Sequence, residues 1–192
     1  MPLSQSTERT PAHTREIECR GYRRTDGLWD IEGHLTDVKP RENDDNDDVK
    51  LIHDMWLRIT IDENFLIHAA EAVMDKSPYP VCPGITPNFS QLAGITIKPG
   101  WRREANRRIG GVNGCTHLGE LLGPLATVCF QTLYGGGEYA SDDASASGDS
   151  TDKLNGIPEK PHFIDQCHAH RSDGSIVKKY WPDFFSETTR SC

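Results

Sequence analysis

The chain has 192 residues, 35% of them hydrophobic and 26% charged, with a formal net charge of −8 and a sequence pI near 5.4. An acidic chain of this kind argues against nucleic acid as partner, because phosphate binding needs a basic surface. No run of about 18 apolar residues is present, so no membrane-spanning helix is expected. The opening MPLSQSTERTPAHTRE lacks the apolar centre of a secretory signal.

Residues 1–15 read as a disordered arm, and residues 16–182 as a single α+β domain with a tail at 183–192. Residues 16–24 are a candidate first strand. Residues 27–38 (GLWDIEGHLTDV) follow a period of two: Trp29, Ile31 and Leu35 alternate with Asp30, Glu32, His34 and Thr36. The acidic stretch 41–48 (RENDDNDD) reads as a solvated loop. Residues 53–62 (HDMWLRITID) place Met55, Leu57, Ile59 and Ile61 on one face. Residues 65–74 form a further strand, joined by the turn Asp62-Glu63-Asn64 in a hairpin. Parity carries a specific claim. His53 belongs with Met55 and Leu57, and Asp37 with Ile31 and Leu35, so both should point inward at strand ends.

Residues 77–101 carry Pro78, Pro80, Pro83, Pro87 and Pro99 and are expected to form an irregular strap with a short helix at 89–92. A basic helix over 102–108 ends at Gly110-Gly111. A long helix then starts at Thr116 as N-cap, with an apolar stripe through Leu118, Leu121, Leu122, Leu125, Val128, Cys129 and Leu133. Pro124 kinks it, and Gly135-Gly136-Gly137 stops it. A second acidic loop covers 141–152. The remainder offers one turn, Ser172-Asp173-Gly174, and a short strand pair. The expected architecture is a small antiparallel sheet with one long kinked helix packed on it.

His117 and Glu120 lie one helical turn apart, and Thr127 and Gln131 continue their face. Such a stripe is either solvated or buried against the sheet, where Asp37 and His53 could serve it. The preferred chemistry is metal-free acid/base work. His53 or His117 carries the proton, Asp37 or Glu120 orients the ring, and Tyr79 donates to a developing oxyanion. Trp29, Trp101, Arg24 and Gln131 are candidate substrate contacts. No cofactor is expected. Zinc is the minority alternative, with His117, Glu120, His53 and Cys115 as its ligands. Paired spacings such as C-x-x-C are missing among the six cysteines, which read as free thiols of a cytoplasmic protein. GGVNG at 110–114 lacks the Lys-Ser/Thr of a phosphate loop. A non-catalytic accessory protein is a third reading. A homodimer is expected to cover exposed sheet edges.

YRRTDGLWDIEGHLTDVK, HDMWLRITID, SPYPVCP, LAGITIKPGW and GGVNGCTHLGELL together resemble the bacterial domain-of-unknown-function family 2889, from about residue 17 to 134 and weakly to 182. The resemblance implies a link to the breakdown of aromatic compounds, hence an aromatic substrate. One concrete reaction is a lyase acting on a lignin-derived phenolic dimer, which would release formaldehyde and leave a stilbene.

Overall fold

The structure is a computed structural model, and it describes residues 3–4, 6–40, 49–134, 160–161 and 163–187, without the side chain of Tyr134. The expected loops at 41–48 and 141–152 and the glycine stop at 135–137 lie outside the described residues. Contacts within the chain group it into two units, Met1–Gly136 and Gly137–Cys192, where the sequence suggests one domain over 16–182.

The first unit carries a four-stranded antiparallel sheet in sequential order: β1 (Thr14–Arg23), β2 (Trp29–Pro40), β3 (Val49–Ile61) and β4 (Ile67–Lys76). The β1–β2 hairpin turns around Asp26-Gly27, with Gly27 at φ 86°, the left-handed region that glycine adopts without penalty. Its register pairs Arg23 with Trp29 and, further along, Arg15 with Asp37. The turn between β3 and β4 is held by Asp62, whose Oδ1 accepts from the backbone N–H groups of Asn64 and Leu66. An aspartate that satisfies its own turn in this way is a strong local signal, and the expected hairpin is present.

Alternation along β2 and β3 divides the sheet. Ile31, Leu35, Met55, Leu57, Ile59 and Ile61 are almost fully buried on one face. On the other face His34 stacks on Trp56 at 3.7 Å, and Arg58 reaches Glu32 and Glu71. Thr60 donates to Asp30 there. A shallow cavity of about 260 Å³ on that face is lined by Arg24, Asp30, Arg58, Thr60, Ala69, Ala70 and Glu71.

The apolar face is covered by the elements that follow. The strap contains a 3-10 segment over Cys82–Leu92, longer than the expected short helix at 89–92. Its residues Gly94–Ile97 bond back to Phe65 and Ile67, closing over the start of β4. The basic helix is α1 (Trp101–Ile109), followed by α2 (Thr116–Glu120) and α3 (Leu122–Tyr134). The long kinked helix is therefore two pieces bent at Leu121. Pro124 has no N–H to donate to the Glu120 carbonyl four residues back, and its ring crowds that carbonyl, so the ladder breaks one turn before the proline. Thr116 is the first helical residue rather than the cap; Cys115 occupies the cap position, without a side-chain capping bond.

In the second unit the expected strand pair is absent from the described residues. The turn at Ser172–Gly174 leads instead into a short helix, α4 (Ser175–Tyr180). Only Val177 of this segment is buried. Adjacent Ile176 and Val177 never offered the alternation a strand needs. Nearby, Phe163, His170 and Trp181 form a ring cluster, and Cys167 Sγ lies 3.3 Å from His170 Nδ1.

Candidate functional site

The inward parity of Asp37 and His53 has a physical consequence: the two residues are cross-strand partners in β2 and β3. Both are buried, Asp37 to 1% exposure and His53 to 7%. Immediately beyond them the pairing shifts from Asp37–His53 to Val38–Leu51, which leaves Ile52 as an extra residue. A bulge of this type bends the strand and ends the alternation. Asp37 and His53 are therefore the last inward-facing pair before the register changes, at the end of the apolar face.

Asp37 is fully engaged. Arg15 clamps it through Nε to Oδ1 at 2.9 Å and Nη2 to Oδ2 at 2.8 Å. His13 Nε2 lies 2.7 Å from Oδ1, and His53 Nδ1 lies 2.8 Å from Oδ2. The Arg15 guanidinium holds the Asp37 carboxyl well below the usual carboxylate range, against the opposing effect of burial, with His53 and His13 adding to the lowering. An ionised carboxylate can only accept hydrogen bonds. His53 thus carries a proton on Nδ1 and leaves Nε2 for exchange.

His117 comes from α2 and completes the line. Its ring meets that of His53 with centroids 3.8 Å apart and planes tilted by 34°. His117 is half-buried, and burial pushes its pKa down, helped by His53 and Arg15 and opposed by Asp37 and Glu120. Cys115 Sγ lies 3.8 Å from His117 Nδ1. At the distance between the two imidazoles a charge on one ring would repel a charge on the other.

The sequence expectations divide at this point. Asp37, His53 and His117 are brought together. The two imidazoles touch, because α2 packs directly over the end of β3. Glu120 is exposed. It acts on His117 and Arg15 through its charge, and no hydrogen bond among the described residues ties it to His117. Thr127 and Gln131 are also exposed, so the polar stripe is a solvated helix face apart from His117. Trp101 is packed into the core at 9% exposure. Trp29 sits half-buried beneath Arg23, whose guanidinium is 5.6 Å from the ring centre. Arg24 is paired with Asp26 and Asp30, and Tyr79 is 66% exposed on the strap. No hydrogen bond or ring contact among the described residues joins Trp29, Trp101, Arg24, Tyr79 or Gln131 to the cluster.

His13 and Arg15 were missed, because they fall in the segment read as an arm. The signal was available: a hairpin centred on Asp26-Gly27 has a fixed register, and counting outward puts Arg15 opposite Asp37.

Asp37, His53 and His117 are also the one group among the described residues with ligand atoms close enough for a metal ion, all within 4.8 Å of one another. Of the zinc ligands expected from sequence, His53 and His117 belong to this group, while Glu120 and Cys115 do not. The donor chemistry fits a dication poorly. Both Asp37 oxygens are already bonded, and the guanidinium of Arg15 stands where a second cation would add repulsion.

The fold and the site define an α+β protein with a buried carboxylate–imidazole line that ends at a half-buried imidazole. The chain belongs to the family described as Protein of unknown function (DUF2889), which matches residues 13–131. The match begins at His13, so it takes in both residues that clamp Asp37, and it stops before the second unit. No curated protein and no solved structure matches the chain. No helix among the described residues is long and apolar enough to cross a membrane.

Proposed function

We propose that this protein is a metal-free acid/base enzyme acting on an aromatic small molecule in the cytoplasm. The observation that carries this reading is the line Asp37–His53–His117, in which a clamped carboxylate backs two imidazoles in ring contact. Imidazole is the side chain best matched to proton transfer near neutral pH. No cofactor enters the proposal.

The reaction we favour is a lyase step on a lignin-derived phenolic dimer. The His53–His117 pair gives its proton to the benzylic oxygen as that carbon–oxygen bond breaks. Electrons from the phenolate fill the vacated position, and a quinone methide results. The deprotonated pair then takes the proton of the terminal hydroxyl. The carbon–carbon bond breaks, formaldehyde leaves, and the bonding electrons form the stilbene double bond and restore the phenolate. One proton leaves the pair and one returns, so a single coupled pair suffices.

His53→Gln and His117→Gln are each expected to lower turnover of such a dimer about 10²–10⁴-fold, with formaldehyde as readout and circular dichroism as the folding check. Full activity in both variants would remove the proposal. A metal-dependent hydrolase is the second reading, favoured by the 4.8 Å clustering of Asp37, His53 and His117. Elemental analysis of protein purified without chelator tests it, since that reading requires close to one equivalent of transition metal. A homodimer that pairs exposed sheet edges completes the proposal.

A further inference from the structure

Among the described residues Cys167 is the one exposed cysteine; Cys19, Cys82 and Cys115 are half-buried and Cys129 is buried. Burial pushes the Cys19 thiol up and that of Cys129 to about 12, so both rest protonated and shielded. Cys167 is placed differently. Its Sγ lies 3.3 Å from His170 Nδ1, within reach of a thiol–imidazole hydrogen bond. The chain itself sets this spacing: the His170 N–H donates to the Cys167 carbonyl, and the His170 carbonyl accepts from the Asp165 N–H. The imidazole is also packed against Phe163 at 4.9 Å and Trp181 at 5.8 Å between ring centres. A nucleophile, a base within reach and surroundings that orient the base are the parts of an activated thiol. Cys115 offers the contrast, half-buried and 3.8 Å from His117 Nδ1.

We propose that Cys167, with His170 as its base, is a thiol–disulfide exchange site whose substrates are small-molecule disulfides. His170 carries its proton on Nε2, and Nδ1 takes the thiol proton as Sγ attacks one sulfur of the disulfide. A new sulfur–sulfur bond forms to Cys167, and the old one breaks. The departing thiolate takes the proton from Nδ1 and leaves as a thiol. The protein thiol is oxidised to a mixed disulfide and half of the small disulfide is reduced, so no further oxidant enters. Exchange at sulfur needs an accessible sulfur and a proton acceptor beside it, and Cys167 has both. The site lies beyond the family match at 13–131 and shares no residue with the acid/base line, so it goes beyond that reading and fails or holds separately.

The test treats the reduced full chain with oxidised glutathione and follows the mixed disulfide at each cysteine by peptide mass spectrometry. Every position is compared with itself in the urea-unfolded chain at the same pH. Exposure alone can at most equal the unfolded rate, whereas an assisting imidazole exceeds it. Cys167 is expected to react about tenfold faster folded than unfolded, because a free thiol is only a few per cent thiolate near neutral pH. Cys19 and Cys129 should react more slowly folded than unfolded. His170→Phe keeps an aromatic ring against Phe163 and Trp181 but removes Nδ1, and should bring the Cys167 ratio down to about one. A folded rate at Cys167 no higher than the unfolded rate overturns the proposal, as does an acceleration shared by Cys19 or Cys129. An acceleration that survives in His170→Phe overturns it too. If circular dichroism shows that this variant does not fold, the folded-to-unfolded ratio of the unsubstituted protein decides.

Discussion

At the scale of the residue, the acid/base proposal gives His117 two separable duties: its ring packs on His53, and its nitrogen would exchange protons. Phenylalanine preserves the first and removes the second. His117→Phe is therefore expected to melt within a few degrees of the unsubstituted protein and to lose turnover as fully as His117→Gln. His117→Ala should lose both, because it also leaves a void above His53. Thermal denaturation beside a formaldehyde assay separates the two. A His117→Phe variant that keeps its activity would show that packing alone matters there. Parity placed Asp37 and His53 correctly, because a period of two leaves each inward residue only two choices of face. The partners of Asp37 were harder to see. His13 and Arg15 lie in a polar stretch without alternating apolar residues, and only the hairpin register reveals them.

At the scale of the element, the close approach of α3 to β1 rests on Gly21. A Cβ at that position would lie 2.0 Å from Thr132 Oγ1 and 2.9 Å from Thr132 Cβ. The whole threonine side chain stands in the way, so the helix must lift or the strand must bend. Gly21→Val is expected to cost about 1–3 kcal/mol, measured by urea denaturation, with the helix displaced from the strand. An unchanged midpoint would mean that α3 is free to move there. Other elements differed from their sequence reading for local reasons. Helical spacing over Leu118–Leu133 identified the covering helix, but apolar spacing does not register a missing hydrogen bond, so the break at Leu121 came earlier than Pro124 itself. The strap gave the reverse case. Prolines suggested irregular chain, yet Pro83 and Pro87 sit within tight 3-10 turns, where Thr86 and Ser90 hydroxyls bond the proline carbonyls.

At the scale of the whole molecule, the same line of residues contributes to acid stability. His117 and Asp37 both have folded-state pKa values below their unfolded ones. The unfolded chain therefore binds protons more readily, and stability falls as pH falls. The first loss is expected below about pH 6.5, as His117 charges in the unfolded chain. The second begins near pH 4, the ordinary range of an unfolded aspartate, and continues as pH falls through the depressed folded value of Asp37. Urea denaturation at stepped pH checks the two stages. Asp37→Asn should flatten the lower one and cost about 2–3 kcal/mol at neutral pH, where it removes charged hydrogen bonds from a buried site. A lower stage that persists in Asp37→Asn would assign it to other carboxylates. The sequential strand order has a further consequence, for the order of assembly. Each hairpin closes a short stretch of chain, whereas His117 must return from beyond the strap and α1. Local contacts form sooner than distant ones. The clamp of Arg15, Asp37 and His53 is thus expected to set while the sheet zips, and the outermost imidazole to arrive later, onto a His53 ring already held by Asp37.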